Sequence, residues 1–163
     1  VALSRSDAVD APQREAIRRR VREIAPNSIW LELTHAPIEL VSSDGMRADI
    51  ETLAGKPVGA FCGIGNPAGF HHTLRTCNFD VLAFREFPDH HVFDAAELDR
   101  LHAWADELPH VAALVCTHKD LVKIRTARIG PHTVWAMTIG LEIRRGLDGL
   151  ENRLQALLPS RHD

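Results

Sequence analysis

From Pro57 onward the sequence alternates short apolar or β-branched runs with helical segments of roughly ten residues, and few architectures accommodate that alternation. Pro57–Cys62, Val81–Phe87, Val111–Cys116 and Val134–Ile139 read as strands. Pro67–Thr76, Ala95–Leu108, Lys119–Ile124 and Leu147–Leu158 read as helices. A helix between successive parallel strands makes a right-handed crossover, so the expected fold is α/β: a three-layer, mostly parallel, Rossmann-like sheet.

The preceding part departs from this rhythm. Val1–Ser4 reads as a short buried strand and Pro12–Ile24 as a helix, with Ile17, Val21 and Ile24 at helical spacing. Arg14, Arg18, Arg19, Arg20 and Arg22 share that helix with Glu15 and Glu23, which marks a solvated face rather than a phosphate site. Ile29–Leu33 reads as another strand. Ile38–Val41 and Arg47–Ile50 flank Ser42-Ser43-Asp44-Gly45, a hairpin pattern suited to joining two lobes. The expected organisation is 1–36 as the remnant of an N-terminal lobe, 37–52 as a β-hairpin linker, and 53–163 as an α/β lobe. Val1-Ala2-Leu3 reads as a strand lacking its beginning, so a piece of a longer protein is expected.

Composition excludes several function classes. The 163 residues are 45% hydrophobic and 25% charged, as in soluble globular domains, and no apolar run approaches the ~20 residues that span a bilayer. A net charge of −3 offers no general attraction for nucleic acid. Cys62, Cys77 and Cys116 have no C-x-x-C spacing, which points to a reducing, cytosolic compartment without a zinc site.

Ligands of such sheets bind beyond the carboxyl ends of the strands, so the loops there carry the candidate chemistry. Gly63-Ile64-Gly65-Asn66-Pro67-Ala68 fits the G-x-G-x-x-(G/A) dinucleotide pattern, with Glu86 at the end of the next strand. It equally fits a tight strand–helix turn with Pro67 at the first helical position. In Phe87-Pro88-Asp89-His90-His91, Asp89 can orient an imidazole and His90 can move protons near neutral pH, unless Asp89 or Asp94 caps the next helix. A metal site lacks further ligands at suitable spacing. Thr117-His118-Lys119-Asp120 can hold phosphate, or Thr117 can cap a helix. Ser4-Arg5-Ser6-Asp7 is similar to the basic-x-Asp segments that follow late strands of nucleoside triphosphatases.

In combination and order, Ser4–Asp7, Phe61–Pro67 with Phe70 and Leu74, Phe87–His91, and Val115–Lys123 resemble the C-terminal half of the tetraacyldisaccharide 4′-kinase family of lipid A biosynthesis in Gram-negative bacteria. The resemblance spans nearly the whole chain. At His118 the family usually carries glutamate, so no role is carried over to that position. The resemblance implies an ATP- and Mg²⁺-dependent kinase acting on the 4′-hydroxyl of an acylated disaccharide 1-phosphate at the cytoplasmic face of the inner membrane. It also implies two α/β lobes joined by a β linker. The phosphate-binding loop, magnesium ligands, catalytic carboxylate and membrane-associating segment belong to the N-terminal lobe of the family. No G-x-x-x-x-G-K-(S/T) occurs in this chain, which alone is expected to be inactive. His90 is the implied catalytic partner of the carboxylate, with Asp89 and His91 supporting its ring. Arg5 and Asp7 fall on the nucleotide side, and Gly63, Gly65, Asn66, Thr117, Lys119 and Asp120 on the acceptor side. The competing readings are a dinucleotide-binding oxidoreductase module and a non-catalytic interaction domain.

Overall fold

The computed structural model describes residues 1–158. Its elements are β1 (Ala2–Leu3), α1 (Ala11–Ile24), β2 (Leu31–Val41), β3 (Arg47–Ala48), β4 (Pro57–Cys62), α2 (Pro67–Thr76) and β5 (Asp80–Glu86). They continue with α3 (Ala95–Asp106), β6 (Ala113–Thr117), α4 (His118–Ile124), β7 (Arg128–Ile129), β8 (His132–Arg145) and α5 (Leu147–Gln155). Short 3-10 turns cover Ser6–Ala8 and Ile50–Leu53. The chain divides into two compact units, one comprising Val1–Ala36 with Gly140 onward, the other Pro37–Ile139. Pro159–Asp163, assigned above to the last lobe, lie outside the described residues.

In the Pro37–Ile139 unit the sheet order is β2-β8-β6-β4-β5, with β3 beside β2 and β7 beside β8. The β4–β5, β4–β6 and β6–β8 pairs are parallel, as the strand–helix alternation requires. Alternate residues of each strand enter opposite layers. Phe61, Leu114, Cys116, Val134 and Ala136 pack with Leu101 and Ala105 of α3 and Leu121 and Ile124 of α4. Val58, Ala60, Cys62, Ala113, Val115 and Met137 pack on the other face with Phe70 and Leu74 of α2. Fully burying one such Leu or Phe is worth about 1.5–3 kcal/mol, so these two layers carry the stability of the unit.

The hairpin forms as its sequence requires. Leu40 pairs with Ala48 and Val41 with Arg47, while Gly45 takes a φ of 89° that a side chain would strain. Two expectations need correction. Ile29–Leu33 and Ile38–Val41 are not separate strands, because both enter the single strand β2. On one side β2 pairs β1 only at Leu31–Glu32 and β3 only at Leu40–Val41, so Pro37 falls between those ladders and interrupts neither. Likewise β8 continues past Ile139 to Arg145, since Leu141 and Ile143 extend the alternation through Gly140.

In the unit of Val1–Ala36 with Gly140 onward, β1 lies parallel to the start of β2. Asp10 caps α1 by accepting the Gln13 N–H at 2.8 Å. Neither α1 nor α5 has a buried residue. The apolar stripe of α1 is present, but Ile24 at its end stays exposed.

Candidate active site

Because β4, β5 and β6 are parallel neighbours, their carboxyl ends lie on one edge and the loops that follow converge there. The turn after β4 is drawn to α4 by a buried hydrogen bond, the Gly63 N–H donating to Asp120 Oδ2 at 3.1 Å. Thr117 caps α4, its Oγ1 accepting the Asp120 N–H at 3.3 Å and donating to Asp120 Oδ2 at 2.6 Å. Lys123 Nζ completes the set at 3.5 Å from Asp120 Oδ1. Asp120 is fully buried. Its carboxyl group therefore fastens two loops together. Thr117 is committed to the same clamp, so its hydroxyl is not a free phosphate donor.

Gly63 explains the tightness of the turn. A Cβ there would lie 3.1 Å from His91 Cβ, 3.3 Å from Asp120 Oδ1 and 3.3 Å from the Pro88 carbonyl oxygen. The space beside this glycine is filled by the protein itself, where a dinucleotide fingerprint would admit a pyrophosphate. Gly63 is buried, and its lack of a side chain lets the turn pack against His91, Pro88 and Asp120. Gly65 is exposed, and a Cβ there would stand 3.1 Å from Asp89 Oδ2. Asn66 caps α2 by accepting the Gly69 N–H at 3.1 Å.

The loop after β5 holds its histidines differently from one another. His90 has a φ of 59°, a left-handed conformation unusual for a side-chain-bearing residue. Asp89 supports that backbone, its Oδ1 accepting the His90 N–H at 3.0 Å, and its Oδ2 lies 3.8 Å from His90 Nε2. The His90 side chain is 93% exposed. His91 turns inward. Its ring stacks on Phe87 with centroids 4.6 Å apart and meets the Phe93 edge at 4.9 Å. Its Nε2 is 3.7 Å from Glu97 Oε2. The expectation that His91 steadies the His90 ring is thus corrected: His91 anchors the loop to α3, because its apolar flanks find an aromatic slot.

Glu97 was missed in the sequence. It is the third residue of α3 after the Asp94 cap, and its side chain also approaches Arg85 at 4.0 Å and Arg100 at 3.1 Å. The Asp94-x-x-Glu97 spacing flags a helix start, but not this cross-element role. Lys119 is exposed on the first turn of α4, free to meet an anion. Arg5 and Asp7 lie in the unit of Val1–Ala36 with Gly140 onward, both exposed around the Ser6–Ala8 turn, with Arg5 at a φ of 52°. Among the described residues no group of three His, Cys, Asp or Glu could hold a metal ion.

The buried thiols make no nucleophile. Burial, then the nearby Asp120 and Glu86 charges, push Cys62 up to about 12. Burial likewise holds Cys116 well above the usual thiol range, and the Asp120 charge adds to it.

The sequence profile described as tetraacyldisaccharide-1-P 4'-kinase matches residues 2–159. The chain belongs to that kinase family. The tetraacyldisaccharide 4'-kinase of Anaeromyxobacter sp. (strain Fw109-5) is 36% identical over 159 residues, covering 97% of this chain and 42% of the relative. That of Bradyrhizobium sp. (strain BTAi1 / ATCC BAA-1182) is 47% identical over 81 residues, 49% of this chain and 23% of the relative. The fold matches a crystal structure of LpxK from Aquifex aeolicus in complex with ATP, with a TM-score of 0.55 at 20% identity, covering 95% of this chain and 50% of that one. The chain thus spans about two fifths of the kinase relatives it matches along its length. No helix among the described residues is long and apolar enough to cross a membrane.

Proposed function

We propose that this chain supplies the acceptor-side half of an ATP-dependent kinase that phosphorylates the 4′-hydroxyl of a tetraacyldisaccharide 1-phosphate, with His90 at the transfer site. The observation that carries the reading is the contrast between neighbouring histidines. His91 is packed away, whereas His90 is held in the open on a strained backbone that Asp89 stabilises. Strain of this kind costs on the order of 1–3 kcal/mol and concentrates at functional positions.

The chemistry follows from what phosphoryl transfer demands. The attacking hydroxyl must lose its proton while charge spreads over the transferring group, so positioning and electrostatics dominate. An imidazole exchanges protons near neutral pH, and the Asp89 carboxyl group lies beside the His90 ring, its Oδ2 3.8 Å from Nε2. Lys119 and the exposed Gly65-Asn66 segment border the same rim, where a sugar can be held. His90 reaches its carboxylate partner only in residues outside this chain. The triphosphate and Mg²⁺ are likewise held elsewhere, by a lobe to which we assign residues 1–36. Among the described residues, the unit containing that segment has no buried apolar side chain, which supports that assignment.

In the whole kinase, His90→Ala should lower kcat by about 10²–10⁴ and leave the KM for ATP nearly unchanged. The 163-residue chain by itself should transfer no phosphate and serves as the control. Wild-type kcat in the folded His90→Ala enzyme, checked by circular dichroism, would remove His90 from the mechanism.

A further inference from the structure

The loop that carries His90 is a turn fixed at both ends. Pro88 opens it with a φ set by its own ring, and the His91 N–H closes it by donating to the Pro88 carbonyl at 3.1 Å. Asp89 and His90 lie between those ends, so the placement of His91 decides where His90 projects. His91 is in turn set close against the turn after β4, since a Cβ on Gly63 would come within 3.1 Å of its own.

Apolar packing alone does not orient the His91 ring. Phe87, stacked at 4.6 Å, and Phe93, edge-on at 4.9 Å, form a slot in which a flat ring can slide or turn over. Its Nε2 is buried and has no hydrogen-bond partner, an unfavourable state that draws the ring toward the acceptor facing it. That acceptor is Glu97, whose Oε2 stands 3.7 Å away. The Glu97 side chain is only 14% exposed and is itself held, with Arg100 Nη1 3.1 Å from Oε2 and Arg85 Nη2 4.0 Å from Oε1. Arg85 also lies over the Phe87 ring at 5.3 Å from its centroid, which ties this carboxylate to the slot by a second route.

We propose that Glu97 is a positioning residue for phosphoryl transfer: its carboxylate receives the His91 Nε2–H and so holds the turn that presents His90. The inference rests on the reading of His90 as the residue at the transfer site. Glu97 acts through His91, and its effect on rate comes from the placement of the neighbouring imidazole. A reacting group displaced by about 1 Å can lose roughly 10²-fold in rate.

The test uses the whole kinase. Glu97→Ala should lower kcat by about 10–10² and leave the KM for ATP nearly unchanged. Glu97→Gln should recover most of that loss, because its amide oxygen can still accept the ring N–H. In a His90→Ala background the further cost of Glu97→Ala should shrink to less than about twofold, since the residue through which it acts is gone. Hydrogen–deuterium exchange in the peptide 87–93 should quicken several-fold in Glu97→Ala, with β4 as protected as in wild type. A general loss of structure would instead lower kcat by the same factor in both backgrounds and expose β4 as well.

Wild-type kcat in Glu97→Ala, no recovery in Glu97→Gln, an undiminished effect in the His90→Ala background, or unchanged exchange in the turn would overturn the proposal. Wild-type kcat in His90→Ala would remove the His90 reading and this inference with it. A slow His90→Ala enzyme beside a fully active Glu97→Ala enzyme would remove this inference alone.

Discussion

Asp120 shows how one buried residue can tie together the loops that follow several strands. Its carboxyl group receives the Gly63 N–H from the turn after β4, the Thr117 hydroxyl from the end of β6 and the Lys123 ammonium from α4. Asp120→Ala would leave a buried N–H without an acceptor and a lysine without its partner, a loss of about 3 kcal/mol. Urea unfolding should show it as a lower midpoint with an unchanged slope; a midpoint within error of wild type would mean that the clamp contributes nothing. The adjacent thiols yield a second expectation. An unfolded cysteine ionises near 9, whereas Cys62 is pushed up to about 12, so the native chain binds the extra proton between those values. Stability is therefore retained below pH 9 and declines as pH rises toward 12. Native Cys62 and Cys116 should resist a thiol reagent at pH 8 and react only on unfolding, which mass spectrometry of the labelled sites would read.

At the scale of elements, glycines separate backbone cost from packing cost. Gly45 in the hairpin turn and Gly146 before α5 share a φ of 89°. A Cβ on Gly45 would meet nothing within 4 Å, whereas one on Gly146 would lie 2.1 Å from the Trp30 carbonyl oxygen. Gly45→Ala should cost about 1 kcal/mol, the left-handed penalty alone. Gly146→Ala adds a collision with main chain and should cost roughly 3 kcal/mol. Equal shifts in Tm for the two variants would contradict that distinction. Helix starts follow the same local logic, since Asp10, Asn66, Asp94 and Thr117 each accept an N–H three residues on. Asp94, not Asp89, caps α3, which leaves Asp89 to hold the left-handed backbone of His90.

Over the whole molecule, the two compact units differ in what they bury. Every fully buried apolar side chain among the described residues lies in Pro37–Ile139. In the other unit, Ser6, Glu32 and Thr34 are the buried residues among those described, and Ile24, Leu141 and Leu154 stay exposed. Local opening is governed by buried apolar contacts, so hydrogen exchange should be slowest in β4, β6 and the central part of β8. Amides of α1 and α5 should exchange at least about tenfold faster. Equal protection in α1 and β6 would show that the first unit has stability the described packing does not account for.

Local physics alone determined the strand–helix alternation, the hairpin at Asp44-Gly45 and most helix limits, because periodicity, caps and turn glycines act within a few residues of chain. The motifs that resemble the kinase family are legible for the same reason, being continuous stretches such as Phe87–His91. Tertiary structure decided what those motif residues do. Gly63, Thr117 and Asp120 turned out to be packing and clamping residues, because the distance between the β4 turn and α4 is set by sheet order, which no local pattern encodes. The union of two predicted strands into β2 and the inward turn of His91 toward Glu97 likewise depend on partners far away in sequence or on burial. Propensity acts along the chain, whereas burial and partner choice act across it, and only the folded chain settles the second.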